Sequence, residues 1–176
     1  LFSDNPEDIA FSVNLLSGIS TAFAAMFIAK ATFLLGKHIL DVRDNKLNDT
    51  EGLVLFFAAI IAGLTTAFAS AIWFSAVEGE VYALSTFFTA TTLWSIIKWY
   101  TFPEDSVDDR WLLFAVYLGG LSIGVHLLSL LTFPALALFY YFKKFPEPNL
   151  KGVLIASFCG LGIIVFVQSF IIVGLP

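Results

Sequence analysis

A chain of 176 residues that is 59% hydrophobic and only 13% charged is not an ordinary soluble domain, which carries about 45–50% apolar and about 25% charged residues. With 20 phenylalanines and a mean hydropathy of +0.89, no core of this size could hide the apolar surface from water, so the sequence predicts a polytopic, all-α membrane protein. The net charge of −5 matters less than where the charges fall, and no basic stripe for nucleic acid is present.

The first apolar run predicts helix A over residues 8–36, followed by the polar "KHILDVRDNKLNDTEG". Helix B is expected over 53–74 and helix C over 80–100, with "WFSAVEGEVYAL" between and across their junction. The acidic "FPEDSVDDR" then leads into an apolar stretch, 111–142, before "KKFPEPNLKG" and a last apolar run at 153–175. The sequence begins at Leu1 and stops at "IIVGLP", which sets the expectation of a single helical domain cut from a longer polypeptide.

The stretch 111–142 would reach about 48 Å as one helix, against a hydrocarbon core of about 30 Å. It is too long for one span and too short for two comfortable ones. Arg110 precedes it, and Lys143 and Lys144 follow it. If both ends share the cytoplasmic side, the chain crosses twice, as short helices D (111–126) and E (129–142) whose turn dips below the outer surface. Six membrane segments result.

With residue 1 outside, eight of the nine basic residues fall in inner segments, and Lys30 can snorkel inward from helix A. Trp94, Trp99, Trp111, Tyr140 and Tyr141 fall near the inner boundary and Trp73 near the outer one, as an aromatic belt.

On the outer face this topology gathers Glu78 and Glu80 at the start of helix C and His126 at the end of helix D. The plain reading of the glutamates is helix capping. The sharper one is an acidic site, since two adjacent carboxylates need a cation or donors between them. His126 could meet a phosphate, a sugar or a metal. Asn14, Ser17 and Gln168 read as interhelical hydrogen-bonding residues. Cys159 reads as a small packing residue, His38 as a solvated helix end, and Glu104, Asp105, Asp108 and Asp109 as a solvated loop.

"AIWFSAVEGEVYALSTFF", "DDRWLLFAVYLGGLSIGVHLLSLLTFPAL" and "YYFKK" resemble a bacterial, Bacteroidetes-type membrane family related to the protein O-mannosyltransferases of the GT-C superfamily. The resemblance runs across almost the whole chain. It implies a multi-pass protein of the bacterial inner membrane, with a periplasm-facing site that transfers a sugar from a polyprenyl-phosphate donor to an acceptor protein. It also implies that Glu78, Glu80, Tyr82 and His126 bind donor or substrate, with a divalent metal as an optional cofactor. The family's Trp-Asp-Cys-Gly-Glu-Phe motif, whose aspartate is the expected general base, does not occur here. The expectation is therefore that the base lies before Leu1 and that this chain alone is silent. The alternative is a non-catalytic membrane subunit or a cation- or proton-coupled transporter component.

Overall fold

A computed structural model describes residues 5–40, 47–79, 81–102 and 109–174. Among these residues the fold is all helical: α1 (Pro6–Ile39), α2 (Asp49–Phe68), α3 (Ser70–Val77), α4 (Val81–Thr101), α5 (Arg110–Ile123), a 3-10 turn (Leu127–Leu131), α6 (Thr132–Lys144) and α7 (Leu150–Phe166) with a π-helical extension (Val167–Ile172).

Local signals explain the ends. The Asn5 side chain accepts the Glu7 N–H at 3.2 Å, Pro6 opens α1, and acidic Glu7 and Asp8 face basic Lys37 and His38 at the far end. Glu51 reaches back to the Asn48 N–H at 3.1 Å to start α2. Asn149 accepts the Gly152 N–H at 2.8 Å to start α7.

The single helix expected over 53–74 is two. Ala69 adopts an extended conformation (φ −60°, ψ 129°) that ends α2 and begins α3. The break lets α3 fold onto the first half of α1, where Gly18 faces the Ala76 carbonyl. The expected pair of short helices in 111–142 is present as α5 and α6, with the 3-10 turn joining them.

Contacts fix the helix directions. Phe23 and Phe27 of α1 meet Phe87 of α4, Phe27 also meets Trp94, and His38 meets Tyr100, so α1 and α4 run parallel. Leu55 packs at Gly36 and Ala29 at Gly63, so α2 runs against α1. Phe133 and Leu136 pack at Gly119, and Trp99 stacks on Tyr140, so α6 runs against α5 and along α4. Gly160 of α7 lies against the Pro134 backbone of α6, a closeness that leaves no room for a Cβ.

Ser17, Ser20, Thr21 and Ala24 of α1 and Ala90, Thr91, Thr92 and Ser95 of α4 are all buried. Small residues let helices approach closely where lipid supplies no hydrophobic drive to associate. The hydroxyls of Thr21 and Thr92 are buried without a hydrogen-bond partner among the described residues. A larger core forms where α4, α5 and α6 meet, around Ile96, Trp99, Ala115 and Leu136.

Outward faces are apolar. Phe57, Ile61 and Leu64 on α2 and Ile155, Phe158 and Val165 on α7 are all exposed. Water would not tolerate contiguous patches of this kind; lipid favours them. Among the described residues three helices are long and apolar enough to cross a membrane: Pro6–Ile39, Asp49–Phe68 and Leu150–Ile172.

Candidate functional site

The two ends of the bundle have opposite character. At one end, α4 begins beside the α5–α6 turn. Tyr82, in the first turn of α4, is half exposed, and its ring centroid lies 5.0 Å from that of His126 at an interplanar angle of 48°.

The chain brings His126 there by leaving the α-helix. Its N–H donates to the Ser122 carbonyl at 3.0 Å, and its own carbonyl accepts the Ser129 N–H at 3.1 Å, which starts the 3-10 turn. Three residues beyond each ring, Ser85 and Ser129 are buried and hydrogen-bonded at 3.0 Å. These serines were not singled out from the sequence. The available signal was a small polar residue one turn from each candidate ring.

Glu78 occupies an exposed turn on the same side of the fold. It is the C-cap of α3, and its N–H donates to the Phe74 carbonyl at 3.1 Å. For Glu78 the capping expectation is corrected: it closes α3, and the C-terminal end of a helix disfavours a carboxylate. Gly79 follows with φ +61°, packed against Asn14 and Val13 of α1. Glu80 lies outside the described residues. The structure thus brings Tyr82 and His126 into contact and sets Glu78 in the turn that leads into α4.

The other end is cationic and aromatic. Lys98 sits 3.7 Å from the Trp111 centroid and 5.0 Å from that of Trp94; Lys30 lies 5.7 Å from Trp94. Lys143 donates to the Trp99 carbonyl and, at 3.2 Å, to the Phe102 carbonyl, capping α4 from α6. Trp99 is only 2% exposed, and its indole N–H donates to Asp109 at 3.0 Å, so this tryptophan is core rather than belt. Tyr141 is likewise buried.

Other expectations resolve similarly. Cys159 is exposed on α7 rather than packed. Asn14 and Gln168 are exposed, and Ser17 is buried. Glu104, Asp105 and Asp108 lie outside the described residues. Among the described residues no three His, Cys, Asp or Glu side chains come together as metal ligands, so a divalent ion would need donors from elsewhere.

A tilted aromatic–imidazole pair beside an acidic turn can stack on a sugar ring and donate to an anionic oxygen. Residues 1–149, which include all four candidate residues, match the family described as protein O-mannosyl-transferase TMEM260 N-terminal domain. No curated protein and no solved structure was found to match the chain.

Proposed function

The chain belongs to the protein O-mannosyl-transferase TMEM260 N-terminal domain family, and from that premise we propose that it forms part of a GT-C-type glycosyltransferase of the bacterial inner membrane. In this reading α1 to α7 supply six membrane segments. The Tyr82–His126 end faces the periplasm. There a sugar passes from a polyprenyl-phosphate donor to a hydroxyl of an acceptor protein.

His126 contacts the donor phosphate. Tyr82 offers an aromatic face to the sugar, and Glu78 and Glu80 position sugar or acceptor hydroxyls. None of these four is assigned as the general base.

The observation that carries the reading is the 5.0 Å contact between Tyr82 and His126, at the end away from the Lys30, Lys98 and Lys143 cluster. A cation-coupled transporter would place its acidic groups near mid-span. Glu78 sits instead in an exposed turn between helices.

The test is glycan transfer from a polyprenyl-phosphate mannose by the full-length protein carrying Glu78→Ala, Glu80→Ala, Tyr82→Ala or His126→Ala. Loss of correct positioning lowers transfer on the order of a hundredfold. Undiminished transfer by all four folded variants rejects the assignment.

A further inference from the structure

A groove of about 410 Å³ lies between α1, α2 and α4, toward the cationic end and so remote from the Tyr82–His126 pair. Its walls are apolar, with Phe33 and Leu34 from α1 and Phe56 and Ile60 from α2. Phe56 is 55% exposed and Ile60 37%, so the groove opens on the helix face that would meet lipid.

Its rim is charged. Lys30 and Lys98 both line it, chiefly through their aliphatic stems; both ammonium groups lie over the Trp94 ring, at 5.7 and 5.0 Å, and that of Lys98 lies nearer still to Trp111, at 3.7 Å. An indole face attracts a cation without neutralising it. Neither lysine forms an ion pair with a described carboxylate; residues 103–108 of the acidic segment that follows α4 lie outside the described residues. Two cations on one wall of an apolar trough call for a ligand with a negative head and a hydrocarbon tail.

We propose that this groove is a binding site for an anionic glycerophospholipid of the surrounding bilayer. The headgroup phosphate bridges Lys30 and Lys98, and one acyl chain lies along Phe33, Leu34, Phe56 and Ile60. Basic pockets between membrane helices select anionic headgroups in this way, while the acyl chain is interchangeable with bulk lipid. The site is separate from the proposed donor site and does not depend on the transferase reading.

The experiment is native mass spectrometry of the detergent-purified chain with phosphatidylglycerol or phosphatidylcholine. Two lysines at the membrane surface favour the anionic lipid by about thirtyfold at low ionic strength, and added salt shrinks the preference. The Lys30→Gln/Lys98→Gln variant loses the preference, and the Lys30→Arg/Lys98→Arg variant keeps it, which separates lost charge from misfolding. Ala59→Trp, which fills the groove floor without touching charge, also releases the lipid. Equal retention of the two lipids by the unmodified chain, or an unchanged preference in the glutamine variant, overturns the proposal.

Discussion

Ser85 of α4 and Ser129 of the 3-10 turn share a buried hydrogen bond of 3.0 Å across 44 residues of sequence, one turn inward from Tyr82 and His126. This bond sets the depth at which the α5–α6 turn meets α4, and so whether the two rings touch. Removing one hydroxyl leaves the other buried and unpaired, which costs about 1–3 kcal/mol. Ser85→Ala and Ser129→Ala are each expected to lower stability by that order. The double variant should cost less than the sum, because neither hydroxyl is then stranded. Reversible unfolding in detergent measures the cycle; strict additivity would show that the bond carries no coupling.

Gly79 makes the turn between α3 and α4 with φ +61°, and a Cβ built there would stand 2.6 Å from Asn14 Oδ1. Left-handed backbone costs a non-glycine residue about 1–2 kcal/mol before any clash. Gly79→Ala is therefore expected to lower the melting temperature and to shift Glu78. Gly120→Ala is the contrast: it lies inside α5 with nothing within 4 Å of the added carbon, so helix propensity predicts a gain of up to about 1 kcal/mol. Thermal unfolding of the pair in detergent separates the two effects; equal behaviour would remove the strain argument.

Much of this architecture was legible because membrane helices announce themselves by length. The run at 111–142 could not be one straight span, and Arg110 with Lys143 and Lys144 placed both its ends together; α5 and α6 follow that logic. The break at Ala69 was not legible, since neither proline nor glycine marks it and its flanks are as apolar as a continuous helix. Trp99 was misplaced for a related reason. In lipid the outer face is as apolar as the inner, so periodicity no longer tells them apart. What marks the inside is residue size: serines, threonines and alanines of α1 and α4 are buried, while Phe57 on α2 and Phe158 on α7 are exposed. Tyr82 and His126 could be assigned to one face from charge placement, but their contact depends on the 3-10 turn, which no motif in the sequence encodes.

Lys143 and Lys144 are neighbours with different work. Lys143 caps α4 through the Trp99 and Phe102 carbonyls and covers the Trp99 ring at 4.4 Å, whereas Lys144 is exposed. A hydrogen bond from a charged donor contributes about 1.5–3 kcal/mol. Lys143→Met should therefore destabilise by roughly that amount and loosen the indole environment, seen as a shift in tryptophan fluorescence. Lys144→Met should stay within about 0.5 kcal/mol of the unmodified chain. Similar losses in both would mean that the cap contributes only bulk positive charge.

The helix directions make a prediction about sidedness. Because α1, α4 and α6 run one way and α2, α5 and α7 the other, Glu78 and Leu127 stand at one end while Lys144 stands at the other. The concentration of lysines at the second end predicts that this end faces the cytoplasm. Cys159 is exposed on the lipid-facing side of α7, so Cys159→Ser gives a starting background without the chain's own thiol. In that background, Glu78→Cys and Leu127→Cys should both take a membrane-impermeant maleimide on intact cells, and Lys144→Cys only after permeabilisation. Leu127 is 43% exposed, so its accessibility does not hinge on local unfolding. If Glu78→Cys and Leu127→Cys label from opposite sides, α5 and α6 do not return the chain to the side it left. The acidic turn and the imidazole then cannot serve one donor. Labelling of both from the cytoplasmic side would keep the contact but place the site away from the periplasm, against the transfer reaction proposed for it.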